Sequence, residues 1–123
     1  MGPFSDLSDL PLRQIWESVA VRTVDGERLT LGVVELDADA VVPEHRHDHE
    51  QLGMVLEGSL EFRVGDETRE LRRGGTWRIP SNVPHEVKVG PDGAVVIDVF
   101  APVRDDWAET QPAAPRAPRW PSA

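Results

Sequence analysis

Cysteine does not occur in this chain of 123 residues. Disulfide staples, thiolate metal sites and cysteine nucleophiles are therefore excluded, and any metal must be held by histidine, carboxylate or amide groups. No apolar run approaches the about eighteen residues needed to span a bilayer, and no basic stretch followed by an apolar one opens the sequence. A cytoplasmic protein without a membrane partner is the expectation. Basic residues are outnumbered, with 13 Lys and Arg against 22 Asp and Glu, a formal net charge of −9 with histidine neutral. Phosphate binding rests largely on Lys and Arg releasing counterions, so nucleic acid is not an expected partner. The length suits one domain and leaves no room for a dinucleotide-binding half beside a substrate half. P-loop and Gly-rich phosphate fingerprints are missing as well.

What is present is a succession of short strand-like segments with no apolar stripe of helical period. Leu29, Leu31 and Val33 alternate between Arg28 and Asp37, and Leu60, Phe62 and Val64 do the same ahead of the hairpin-type pair Gly65-Asp66. Gly74-Gly75, Pro80-Ser81-Asn82 and Gly90-Pro91-Asp92-Gly93 read as turns, leaving strands near 41–47, 52–57, 67–72, 76–79, 85–89 and 94–100. About nine strands on short turns predict an all-β sandwich or small barrel. Residues 1–12 read as an N-terminal arm, 13–110 as the β-domain and 111–123 as a Pro-rich tail, disordered or extended, in which Trp120 is the one candidate anchor.

The four histidines fall in two places: His45, His47 and His49 in PEHRHDHEQ, and His85 in IPSNVPHEV. On a strand, residues two apart share a face, so His45 and His47 project together, and Gln51 keeps their parity if the extended run continues. Two imidazoles on one face are half a site for a borderline divalent cation such as Zn, Ni, Mn or Fe. His85, just after a Pro-bounded turn, is a candidate for the other half. The bland alternative is a set of solvated histidines in a polar loop. His49 shares the parity but lies in an expected turn between Asp48 and Glu50, which leaves its role open, whereas Glu50 has the opposite parity to His47, so Gln51 is preferred over Glu50.

A second cluster follows in AVVIDVFAPVRDDW. Asp98 has the parity of Val96 and Phe100, and both faces of this segment are apolar enough to bury it. A buried carboxylate must be paired, hydrogen-bonded or protonated. Arg104 is a candidate partner, so an Asp98–Arg104 bridge is the structural reading of the pair. Trp77 and Trp107 read as packing residues. Ile15 and Trp16 are candidates for an N-terminal strand.

The segment His45-x-His47-xxx-Gln51-x6-Gly58 resembles the first cupin motif, and Gly74-x5-Pro80-x-Asn82-xx-His85 resembles the second. Gln51 stands where that family usually has Glu, and Asn82 where it usually has Gly. The resemblance covers residues 28–107. It implies a double-stranded β-helix (jelly-roll) barrel, with a divalent metal in the barrel mouth held by His45, His47, Gln51 and His85, and a homodimer in which the strand of Ile15 and Trp16 pairs with the second subunit. A neutral amide in place of a carboxylate leaves the full dipositive charge on such an ion, which favours polarising an oxygen over cycling between oxidation states.

The spacing Asp98-x-Phe100-xxx-Arg104 is similar to that of the small cupins of pectin and alginate breakdown that linearise unsaturated uronates. The resemblance implies that Asp98 handles protons, Phe100 packs against a sugar ring and Arg104 grips the carboxylate of a small anionic substrate. Arginine suits that task because its planar fork matches a carboxylate. Three functions follow as expectations: a metal-dependent, non-redox enzyme opening 4,5-unsaturated uronates to keto acids; an Fe- or Mn-dependent dioxygenase of a small organic acid; or a non-catalytic module binding a small ligand.

Overall fold

The computed structural model describes residues 2–122. Its strands are β1 (Arg13–Trp16), β2 (Val19–Asp25), β3 (Thr30–Leu36), β4 (Val41–His45), β5 (Glu50–Val64), β6 (Glu67–Arg72), β7 (Thr76–Ile79), β8 (His85–Ala101) and β9 (Gln111–Pro112). Two 3₁₀ turns, Leu7–Asp9 and Asp105–Glu109, are the only helical elements among the described residues.

Every pairing is antiparallel, and the main path runs β6-β5-β8-β3-β2-β1-β9, with β4 also on β8 and β7 also on β5. The two long strands make this nine-stranded sheet an all-β jelly-roll barrel, because each pairs with different neighbours along its two halves. The first part of β5 pairs with β7 and its second part with β6, while β8 pairs with β4 near its start and with β3 near its end.

Continuity of β5 and β8 differs from the sequence expectation, which broke each into two strands and placed a turn at Gly90–Gly93. The register slips between Val55 and Glu57 and again between Gly58 and Leu60, so the strands bend at bulges without ending. Residues 90–93 themselves take no ladder partner, and the pairing of β8 with β5 resumes at Ala94 opposite Gly58. Gly58 is required there: its φ is +81°, and a Cβ on it would stand 2.0 Å from the carbonyl oxygen of Gly93. The Gly65-Asp66 turn joins β5 to β6 as a two-residue hairpin, Val64 opposite Glu67.

Alternation decides the two faces. Val19, Val21, Val34, Leu36, Val55, Phe62, Ile79 and Val96 point inward and form the core with Phe100, Trp77 and Trp107. Ala20, Arg22, Val33, Glu35 and Val95 have the other parity and are nevertheless buried. The C-terminal segment is the reason. Ala113 N–H donates to the Leu12 carbonyl (2.9 Å), beyond which Arg116 and Arg119 reach the carboxylate of Glu35. Ser122 Oγ then donates to Glu57 at 2.7 Å. Glu35, Val95 and Glu57 are neighbours across β3, β8 and β5, so the segment crosses that sheet transverse to its strands.

Glu35 is 1% exposed and accepts from Arg22 (2.8 Å), Arg116 (2.8 Å) and the Arg119 N–H (3.0 Å). Burial alone would push its pKa up, but these donors and the Arg22 and Arg116 charges hold it below the usual glutamate value. Pro spacing keeps the segment extended, and its two arginines reach a buried carboxylate. Trp120 is half-buried in it. Ile15 and Trp16 lie in strand β1, which pairs with β2 along its length and with β9 only at Arg13 and Gln14. No helix of the structure is long and apolar enough to cross a membrane.

Candidate metal and substrate site

His45 ends β4, His85 begins β8, and the two are register partners. His47 lies in the connection to β5 and turns back onto them, with ring centroids 4.3 Å (His45–His85) and 4.9 Å (His47–His85) apart. One ligand atom from each lies within 4.8 Å of the others, so this three-histidine group could hold a metal. The Nδ1 atoms of His45, His47 and His85 stand 2.9 Å from the carbonyl oxygens of Pro43, His49 and Val83 respectively. A carbonyl only accepts, so each Nδ1 carries the proton and each neutral ring leaves Nε2 as a bare lone pair.

Two observations test whether these residues fit a cation. His85 Nε2 is buried with no hydrogen-bond partner, in a ring only 2% exposed. Burial lowers its pKa to about 4, with the neighbouring His45, His47 and Arg104 charges adding to the shift, so the lone pair is free at neutral pH. His47 is likewise lowered, chiefly by burial. The second observation is Gln51 Oε1, which stands 3.1 Å from His47 Nε2. The Gln51 amide nitrogen donates to Asp98 Oδ1 at 2.9 Å, which turns its oxygen toward the imidazole. Two acceptors then face each other, an arrangement that a cation between them resolves. The donor set fits a divalent ion of borderline softness.

Gln51 is buried on the inner face of β5 while Glu50 is exposed on the outer face. His49 stays outside the cluster: its Nε2 is 3.2 Å from the Val103 carbonyl, and its own carbonyl accepts from His47.

Asp98 occupies the inner face of β8 in the same cavity and is 6% exposed. Its Oδ1 accepts from both Gln51 Nε2 and Trp77 Nε1, the latter at 2.8 Å. Burial raises its pKa to about 6, against the opposing effect of those two hydrogen bonds and the Arg104 charge. No Asp98–Arg104 bridge forms. Arg104 instead pairs with Asp106 through Nε (3.0 Å) and Nη2 (2.9 Å), with its guanidinium 4.7 Å from the Phe100 ring centre and 4.2 Å from that of Trp107. The Asp106 carboxyl is held below its ordinary value by that pairing. The bridge fails because Asp106 is two residues from Arg104 in a 3₁₀ turn, whereas Asp98 lies deeper with donors of its own.

These groups line one cavity of about 250 Å³. His45, His47, His85, Gln51, Asp98 and Arg104 supply its polar wall, and Val34, Phe62, Trp77 and Val96 its apolar one. Trp16 reaches the rim, its ring 5.3 Å from that of His45. Phe100 lines the cavity but is 2% exposed, most of its ring being covered by His47, Trp107 and Arg104. Trp77 and Asp106 acquire roles that sequence reasoning missed. Trp77 packs against Phe62 as expected and also donates to Asp98. Only the pairing of β7 with β5 brings it there.

Comparison with known proteins agrees with this geometry. The Cupin domain model matches residues 32–100. The pectin degradation protein KdgF of Dickeya dadantii (strain 3937) is 34% identical over 80 residues, 64% of this chain and 73% of that protein. Among solved structures, KdgF from a Halomonas species superposes with a TM-score of 0.79 at 27% identity, covering 86% of this chain and 98% of that one. An RmlC-like cupin from Shewanella frigidimarina gives a TM-score of 0.80 at 25% identity, covering 86% and 96%. The strand order, the histidine pair joined across β4 and β8, and these matches together make this chain a member of the cupin domain family, similar to KdgF.

Proposed function

We propose that this protein opens the ring of 4,5-unsaturated monouronates to the open-chain keto acid, with a divalent ion (Zn, Ni, Mn or Fe) held by His45, His47, Gln51 and His85. The observation that carries the reading is the convergence, in one small cavity, of three bare imidazole nitrogens, a buried carboxylate and an arginine stacked on two rings. When bound, the ion supplies Lewis-acid polarisation of a sugar oxygen. The similarity to KdgF supports the substrate class.

The chain's own residues account for binding and proton transfer. A cavity of about 250 Å³ lies at the small end of ligand pockets and suits one sugar ring better than a polymer. Arg104 receives the substrate carboxylate. Asp106 occupies its Nε–Nη2 edge and leaves Nη1 free for the incoming anion. This local cation offsets the repulsion an anionic sugar meets from a chain of net charge −9.

The substrate is a cyclic hemiacetal whose ring oxygen is bonded to C5 of the C4=C5 double bond. Asp98 accepts the proton of the anomeric hydroxyl. The C1–O5 bond then breaks to give the aldehyde and an enolate on C5, and proton return to C4 leaves the C5 ketone. Atoms and charge balance without an external oxidant. A carboxyl with its pKa raised to about 6 can both accept and return a proton near neutral pH.

The test combines metal analysis of the purified protein by plasma mass spectrometry with proton NMR of 4,5-unsaturated galacturonate, with and without chelator. Loss of the olefinic signal faster than background, stopped by chelator, is the expected result. Metal present with decay only at background rate would overturn the substrate and leave the dioxygenase and ligand-binding readings to compete.

A further inference from the structure

Gly53 lies between Trp77 on β7 and Asp98 on β8 as register partner of both. Residues on β7 and β8 are two strand spacings apart, about 10 Å. Their side chains nevertheless meet in a 2.8 Å hydrogen bond, which passes over the glycine. A Cβ at Gly53 would stand 2.3 Å from Trp77 Nε1 and 2.4 Å from Asp98 Oδ1. No side chain can be accommodated there unless that bond is lost, and the backbone is ordinary in conformation, so the need for glycine is spatial.

The same Oδ1 takes the second donor, Gln51 Nε2. Two donors on one oxygen fix the roll of the carboxylate, and the carboxylate in turn fixes which end of the Gln51 amide faces His47. A linear relay results: Trp77 Nε1–H to Asp98 Oδ1, Gln51 Nε2–H to the same atom, and Gln51 Oε1 toward the histidine group. The middle of that relay is the carboxylate assigned to proton transfer, and its far end faces the cation site.

We propose that Trp77 is a positioning residue, acting through Asp98 on both the reacting carboxylate and the Gln51 oxygen, and that Gly53 is the clearance this contact requires. The part concerning Asp98 in turnover rests on the uronate reading above, whereas the part concerning Gln51 does not. Outer partners of metal ligands typically change metal affinity or activity by about 10–100-fold when removed.

The experiment replaces Trp77 by phenylalanine and, by site-specific incorporation, by benzothienylalanine, which keeps the shape of tryptophan and lacks the N–H. Cobalt(II) is titrated into each metal-stripped protein and followed by its visible absorption, and uronate turnover is measured in parallel. The expected result for the isosteric variant is an unchanged melting temperature with a cobalt dissociation constant raised about 10-fold or more. Its cobalt spectrum should be altered, and kcat should fall with little change in KM. Gly53→Ala should move the cobalt measurements in the same direction. Cobalt affinity, spectrum and kcat all matching the wild type in the isosteric variant would overturn the proposal and leave Trp77 as packing alone. If the wild type binds cobalt but converts no uronate, the function proposal fails while the cobalt comparison still decides the role of Trp77.

Discussion

Gln51 Oε1 and His47 Nε2 stand 3.1 Å apart, and neither has a hydrogen to offer the other. The amide hydrogens of Gln51 are directed to Asp98, and the imidazole proton of His47 to the His49 carbonyl. Gln51→Glu would replace the donor to Asp98 with a second buried carboxylate. Without metal this variant should lose roughly 2–4 kcal/mol of stability. Added Mn²⁺ should raise its melting temperature by more than it raises that of the wild type, because the new charge faces the cation. Calorimetry in chelator and in Mn²⁺ checks this, and equal metal-induced shifts would show that residue 51 does not meet the ion.

His85 gives the metal-free protein a pH dependence of definite sign. Its folded pKa of about 4 lies below the ordinary histidine value of 6.5, so between these values the unfolded chain binds more protons. Stability should therefore fall as pH drops from 6.5 toward 4, by on the order of 2–3 kcal/mol from this residue. His85→Gln should flatten that part of the profile in urea melts taken across the range. An unchanged slope would assign the dependence elsewhere.

Arg104 and Asp106 predict a division between binding and turnover. Arg104→Ala should raise the KM for an unsaturated uronate by about 10–100-fold, the loss of a charge-assisted hydrogen bond, with a smaller change in kcat. Asp106→Asn keeps the cation and loosens its orientation, so its effect should be in the same direction and weaker. Steady-state kinetics separate the two, and an Arg104→Ala protein with normal KM but lowered melting temperature would confine that residue to its stack on Phe100 and Trp107.

Removal of residues 113–123 takes away Arg116, Arg119 and the cover over Glu35. A loss of about 1–3 kcal/mol at neutral pH is expected. Glu35 has a depressed folded pKa, so the stability it supplies is complete above its unfolded value and is lost as pH falls through the folded one. The difference between full-length and shortened proteins should thus narrow below about pH 4. A constant gap in urea melts from pH 7 to 3 would show that the segment acts by apolar cover alone.

Gly58→Ala tests the strand crossing. The positive φ and the 2.0 Å approach to Gly93 oxygen should together cost about 2–5 kcal/mol, measured by urea denaturation. A loss below about 1 kcal/mol would mean that the bulge relaxes freely.

Much of this site was legible in the chain before folding. The clustering of His45 and His47 and the motif spacing with His85 pointed to the barrel and its histidine group, and Gln51 rather than Glu50 does face inward. Shared parity presupposes an extended run from His45 to Gln51, whereas β4 ends at His45 and β5 begins at Glu50, so the connection between the strands brings His47 back to the group. The Gly65-Asp66 hairpin was legible because turn composition is local. The continuity of β5 and β8 was not, because Gly90–Gly93 has the composition of a turn and only the resumed pairing of Ala94 with Gly58 continues the same ladder beyond it.

Which groups bond across strands was decided by tertiary structure. Asp98 and Arg104 are six residues apart and suggest a pair, yet Asp98 is held by Gln51 and Trp77, 47 and 21 residues away. The Pro-rich end carries no sign in its composition that Arg116 will meet Glu35, 81 residues earlier. Sequence alone determined the class of the fold and the donor atoms available to a cation, through composition and period. Tertiary structure decided the partner of each buried charge, because a carboxylate removed from water takes whatever donors the strand register brings within reach.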